Sequence, residues 1–251
     1  MATAPGHDAP VPAAGVAVTA AGLALRGSDG PIVTGVDLTA PAGELLAVIG
    51  PAGSGRTSLL LALGGRMRLR AGTAEVGTVR LRTGAREVRR RVAVARAQGA
   101  AAPDPYDKVG ELLDLAGLYA GHRTGARAIG DALAAVGLTV VDHPKSDEPG
   151  VLARSARYEH LHAADRLLLA VALALVGEPE VLLVDDVDEG QDDRGSHRVW
   201  TELRRVAESG TTVIATASGA TTAGRYAHRT VLLAHGANDD GSDGLPRGGA
   251  R

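Results

Sequence analysis

A chain of 251 residues, 45% apolar and 22% charged, is long enough to bury a full core as one domain. Its net charge of −2 argues against a general nucleic-acid binder, and the absence of cysteine excludes disulfides and thiolate metal sites and fits a reducing compartment. The longest apolar run, Leu167 to Gly177, stops at Glu178-Pro179-Glu180, short of the ~20 residues that a spanning helix needs.

The first fourteen residues and residues 237–251 are rich in Gly, Ala, Pro and Asp without periodicity and are expected to be disordered ends. They lack the basic start and apolar centre of a signal peptide. Gly15–Arg26 and Pro31–Ala40 alternate apolar and small polar residues, as antiparallel strands do, and Pro41-Ala42-Gly43 makes a turn. Leu45–Ile49 is continuously apolar and suits a strand buried on both faces. A glycine-rich stretch follows, and Thr57–Met67 is expected to be helical with its leucines inward. Thr73–Leu81 reads as a strand, the cluster Arg86, Arg89, Arg90 and Arg91 as a solvated basic face, and Val92–Ala95 as a short strand.

Residues 107–176 read mostly as helix, broken near Gly121–Thr124 and across Asp142–Gly150, with the last helix running from Tyr158 to Val176. A strand ending at Asp185, a helix over Asp193–Ser209, a strand over Thr211–Ala217, a short helix and a strand over Thr230–Ala234 complete the chain. Strand–helix alternation around a helical insertion at about residues 100–165 implies a mostly parallel α/β core, here over 15–236, behind an N-terminal antiparallel β subdomain.

Two segments carry chemistry. Gly50-Pro51-Ala52-Gly53-Ser54-Gly55-Arg56-Thr57 keeps the phosphate-loop pattern Gly-x-x-x-x-Gly-Lys-Ser/Thr except that Arg56 stands at the lysine position. Such a loop points successive backbone N–H groups, and the positive end of the helix after it, at a phosphate. Gly50, Gly53, Ser54, Gly55, Arg56, Thr57 and Ser58 are therefore nucleotide-binding candidates, with Arg56 reaching the β- and γ-phosphates and the Thr57 hydroxyl offered to Mg²⁺. Arginine keeps the charge, but its longer planar fork is expected to weaken or re-angle the nucleotide. The second segment, Val181-Leu182-Leu183-Val184-Asp185-Asp186-Val187-Asp188-Glu189, is an apolar strand with an acidic end. It could be a Walker B element, in which Asp185 holds Mg²⁺ through water and Asp186 orients the attacking water. A prenyl-synthase Asp-Asp-x-x-Asp motif would need Asp where Glu189 stands, and a calcium loop would need regularly spaced oxygen ligands and a closing Glu. The preceding strand favours Walker B.

With these motifs in register, residues 15–236 resemble the nucleotide-binding subunit of ATP-binding cassette (ABC) transporters. In that family a Leu-Ser-Gly-Gly-Gln signature, a helix and an acidic-Pro turn precede Walker B; here Leu161, His162, Ala163, Ala164 and Asp165 hold the signature place, followed by Arg166–Val176 and Gly177-Glu178-Pro179. The resemblance implies that Asp192 belongs to the D-loop, that Ser218 stands for the switch histidine, and that Gln98 lies near the Q-loop glutamine that ligates Mg²⁺. Departures fall on the catalytic positions: Arg56 for lysine, Asp186 for glutamate, two alanines for the signature glycines, and Ser218 for histidine. Asp186 would stand ~1.5 Å further from an attacking water, and displacements of ~1 Å can cost about a hundredfold. The alanine methyls would crowd a γ-phosphate. The resemblance thus implies an ATP- and Mg²⁺-binding subunit, a homo- or heterodimer with head-to-tail sites, placed at the cytoplasmic face of a membrane through a permease that meets the insertion around residues 98–140. Slow turnover or a non-catalytic sensor or scaffold is expected; a P-loop kinase, with the arginine cluster as its lid, is a third reading. A metal site at His160 and His162 is disfavoured by their i, i+2 spacing, and Trp200 and Tyr106 are expected to pack or anchor rather than stack on bases.

Overall fold

The computed structural model describes residues 14–28, 30–97, 102–120, 125–144 and 148–234. The expected disordered ends, apart from Ala14, and Gln98 lie outside them. In chain order the elements are β1 (Val18–Gly27), β2 (Gly30–Ala40), β3 (Leu45–Ile49), α1 (Arg56–Leu63), β4 (Ala71–Val76), β5 (Val79–Arg80), α2 (Leu81–Arg91) and β6 (Val92–Arg96). There follow α3 (Val109–Ala120), α4 (Gly125–Ala135), β7 (Thr139–Val141), β8 (Val151–Ala153), a 3-10 turn (Tyr158–His160) and α5 (Ala163–Leu175). The last are β9 (Val181–Val184), α6 (Asp193–Glu208), β10 (Thr212–Ala217), α7 (Ala220–Tyr226) and β11 (Arg229–Leu232).

Strands β11-β3-β10-β9-β6 form a five-stranded parallel sheet, and β2-β1-β4-β5 form a separate antiparallel sheet. The parallel strands are short and apolar on both faces because each face has its own core. Leu45, Ala47, Ile49, Leu182, Val184, Val213, Ala215 and Ala217 point into one core, which is covered by α5 and α6 and centred on Trp200. Leu46, Val48, Val181, Leu183 and Ile214 point into the other, against α1, α2 and the antiparallel sheet. This strict alternation pins the register, since a one-residue slip would exchange the two sets. It also lays the C-terminal ends of β3, β9 and β10 side by side, where open α/β sheets place their ligands.

Some expectations change. The strand expected over Thr73–Leu81 turns at Gly77, whose φ of 58° is left-handed, and pairs back on itself as β4 and β5. The basic cluster belongs to helix α2, anchored only by Leu81 and Val88 among its buried residues, so periodicity barely betrays it. Within 107–176, β7 and β8 form a two-stranded parallel sheet. The helix expected from Tyr158 begins at Ala163, after the 3-10 turn. Trp200 is fully buried, whereas Tyr106 is largely exposed.

Candidate functional site

The glycine-rich loop joins β3 to α1 at the C-terminal edge of the parallel sheet. Gly53 and Gly55 have φ of 80° and 88°, and Gly55 is the residue from which α1 starts. At Gly50 a Cβ would stand 2.5 Å from Ser54 Oγ and 3.0 Å from the Leu233 carbonyl, so a larger residue would force its neighbours to shift. Two polar atoms of this loop's side chains, Ser54 Oγ and Arg56 Nη1, are buried without a hydrogen-bond partner.

Across the sheet edge, β9 delivers Asp185 to the loop. Its buried carboxylate accepts from both sides: from Thr57 Oγ1 at 2.6 Å and from Thr216 Oγ1 at 2.6 Å. The Thr216 hydroxyl in turn accepts from the Asp186 N–H at 2.8 Å. Asp186 sits at φ 46°, a left-handed conformation unusual for a residue with a side chain. Besides Thr216, Arg96 holds it there: its guanidinium donates to the carbonyls of Asp185 (3.2 Å) and Asp186 and pairs with Glu189 at 3.2 Å. So fastened, the Asp186 side chain meets Arg56: Nη2 lies 2.7 Å from Oδ1, with the two side chains only 10% and 20% exposed. At that burial the pair is not a screened surface contact. Burial pushes the Asp186 carboxyl above the usual carboxylate range, the charge of Asp185 pushes the same way, and Arg56 pulls it back.

The structure therefore brings Gly50, Gly53, Ser54, Gly55, Arg56, Thr57, Asp185 and Asp186 together. Ser58 follows on the first turn of α1, and Ser218 stands exposed just past β10. The segment Leu161–Asp165 lies at the start of α5, facing the D-loop position Asp192, whose carboxylate caps α6 by accepting from the Gly195 N–H at 2.7 Å. Both alanines line the cleft between the start of α5 and the D-loop segment, Ala163 partly exposed and Ala164 nearly buried. Asp165, at the glutamine position, is almost fully buried and pairs with Arg198 of α6 at 2.6 Å. Thr216, Arg96 and Arg198 escape motif reading. The available signal was a threonine inside the apolar run Val213–Ala217 and an arginine ending a core strand.

The residues fit a nucleotide's phosphates and a magnesium ion. The glycine cradle and the loop's two orphaned side-chain atoms suit phosphate oxygens, and the Thr57 hydroxyl beside the Asp185 carboxylate offers the hard oxygen donors that Mg²⁺ takes. Among the described residues, no group of three or more His, Cys, Asp or Glu could hold a metal on its own, so such an ion would complete its shell with water and phosphate.

The family model described as "ABC transporter" matches residues 33–188, which takes in the loop, Asp185 and Asp186. The chain belongs to the ABC transporter family. The matched part is the family's ATP-binding domain. The cassette is 32% identical over 218 residues to the hemin import ATP-binding protein HmuV of Rhodopseudomonas palustris, covering 86% of this chain and 80% of that one. It is 30% identical over 211 residues to the Nod factor export ATP-binding protein I of Paraburkholderia xenovorans, covering 82% and 64%. A Streptomyces avermitilis protein named as an ABC transporter ATP-binding protein is 34% identical over 91% of this chain, which spans only 38% of that relative's length. Two solved cassettes share the fold: the dimeric MJ0796 (TM-score 0.68, 19% identity, covering 87% of this chain and 95% of that one) and cbiO1 of Clostridium perfringens, part of a cbiONQ complex (TM-score 0.69, 19%, covering 87% and 85%).

Proposed function

We propose that this cassette is the ATP-binding subunit of a membrane transporter, taking Mg-ATP at the loop Gly50–Thr57 and hydrolysing it slowly. The observation that carries the reading is the set of groups converging on one sheet edge: a cradle built on glycines, a hydroxyl–carboxylate pair at 2.6 Å, and an arginine in the loop itself. In this reading the loop amides and the α1 N-terminus hold the phosphates. Thr57 and Asp185 hold the magnesium ion, which would supply charge neutralisation between the phosphates. Thr216 holds the Asp185 carboxylate from the far side, so that it keeps one orientation toward Thr57.

Turnover is slow because the Asp186 carboxylate is already engaged by Arg56 and is fastened by its backbone at both N–H and carbonyl. A base must reach the water it orients. The same ion pair favours the second reading, a cassette that uses nucleotide only to set a conformation. Calorimetric titration with Mg-ATP tests the shared part of both: micromolar binding is expected, with Thr57→Ala weakening it at least about tenfold, roughly 1.4 kcal/mol. No binding at millimolar ATP would remove the nucleotide from the account.

The partner we propose is a permease, met by the face formed by α3 and the C-terminal end of α5. No helix among the described residues is long and apolar enough to cross a membrane. A groove of about 360 Å³ there is lined by Pro103, Leu112, Leu115, Ala116, Tyr119 and Leu173, and beside it Leu115, Leu118 and Tyr119 are 49%, 58% and 85% exposed. Adjacent exposed apolar side chains of this size mark interaction sites. The proposed placement is peripheral, on the cytoplasmic face, with two cassettes paired, alike or unlike. Expressed with its permease, the Leu115→Glu/Tyr119→Glu variant is expected to lose co-purification while keeping its melting temperature; unchanged co-purification would move the docking face elsewhere.

A further inference from the structure

We infer that Asp186 is a specificity residue standing in for the terminal phosphate, so that the resting site holds a nucleoside diphosphate in preference to a triphosphate. The inference rests on the nucleotide-site reading above and adds which nucleotide the site selects.

In a loop of this kind the α- and β-phosphates are held chiefly by backbone N–H groups and the helix N-terminus, while the side-chain cation serves the outer phosphates. Here that cation is Arg56, and its Nη2 is already bound to Asp186 Oδ1 at 2.7 Å. Arg56 is itself only 9% exposed, so water screens its pairing with Asp186 little. An incoming γ-phosphate therefore meets an arginine whose charge is compensated, next to a carboxylate of like sign to its own. Like charges in a partly buried site oppose each other strongly. Asp185 and Glu189 add two further negative groups on the same segment.

Nor can Asp186 readily withdraw. Its N–H is held by Thr216, its carbonyl by Arg96, and its φ of 46° places the side chain where a residue in ordinary extended or helical conformation would not. A diphosphate asks for none of this to change. It uses the Gly50–Thr57 amides and the hydroxyl–carboxylate pair of Thr57 and Asp185, and it leaves the ion pair closed.

The test is a pair of calorimetric titrations, Mg-ADP and Mg-ATP, on the wild type, Asp186→Asn and Arg56→Gln. The wild type is expected to bind ADP at least about tenfold more tightly than ATP. Asp186→Asn should tighten ATP about tenfold and change ADP by less than about threefold. Arg56→Gln, which leaves the carboxylate without its counter-ion, should weaken ATP further and ADP to a smaller degree. Opposite movements of ATP in the two variants, with ADP nearly constant in Asp186→Asn, are what a merely structural ion pair would not give; loss of packing would shift both nucleotides together. ATP bound as tightly as ADP by the wild type, or a ratio unmoved by Asp186→Asn, would overturn the inference and leave the nucleotide site standing. Binding of neither nucleotide would overturn both.

Discussion

Replacing Gly55 with alanine is expected to weaken Mg-ATP binding at least about a hundredfold, roughly 2.7 kcal/mol. Gly55 stands at φ 88°, where a Cβ costs about 1–2 kcal/mol by itself. The space is closed as well: that Cβ would lie 2.8 Å from Ile32 Cγ2 and closer still to Val33 Cγ2, both on β2. Ile32 and Val33 pack into the core between the two sheets, so they cannot move aside without opening it. The loop must yield instead, and the residue that yields is the one from which α1 begins. The N–H groups of that first turn would then re-aim, and backbone N–H direction is the whole of the loop's anion affinity before any side chain is counted. Titration of Gly55→Ala beside the wild type checks this. Affinity within threefold of the wild type would show that the loop does not bind through those amides.

Trp200→Ala is expected to destabilise the cassette by about 3–5 kcal/mol, the range for deleting a large buried aromatic. Trp200 is fully buried at the centre of the core beneath α6 and the parallel sheet. Domains of this kind have about 5–15 kcal/mol in total, and for their size the loss corresponds to a fall in melting temperature of about 6–20 °C. The effect should reach the site as well. The indole N–H donates at 3.3 Å to Asp188 Oδ1, whose other oxygen accepts from the Gly219 N–H at 3.2 Å. Trp200 thus braces the segment after Asp186 against the end of β10. Trp200→Phe, which keeps most of the apolar volume, should recover more than half of the lost stability but not the Asp188 contact. Urea denaturation of the two variants measures both, and a loss under about 1 kcal/mol for alanine would mean that the core closes over the gap.

What could be read from the chain beforehand follows from how locally each feature is encoded. The phosphate loop was legible because glycines at fixed spacing between an apolar strand and a helix are needed by the backbone itself. The core strands β3 and β9 were legible because burial on both faces leaves no polar position to confuse, and β10 stayed legible because its two threonines are β-branched and suit a strand. Helix α2 was not, because Leu81 and Val88 are its only buried residues, and its further anchors, Arg91 on Glu180 and Arg89 on the Gly65 carbonyl, are contacts with distant segments that no local period shows. Strands β7 and β8 are three residues each, too short to show a period. In the site, the positions of Thr57 and Asp185 were visible as motif residues, and the structure puts their oxygens 2.6 Å apart. Thr216 and Arg96 were invisible, because their roles come from neighbouring parallel strands in register and not from any local pattern. Above all, the chain shows an arginine in place of lysine and an aspartate in place of glutamate as two separate departures. Folded, they are one: the longer cation meets the shorter carboxylate in a single buried ion pair.

That pair is the centre of the account, and phosphate release tests it most directly. Purified cassette with saturating Mg-ATP is predicted to turn over well below ~1 s⁻¹, the low end of ordinary enzymes, because the Asp186 carboxylate is held by Arg56. Turnover at or above ~1 s⁻¹ by the unmodified chain, abolished by Thr57→Ala, would contradict it and show Asp186 free to act.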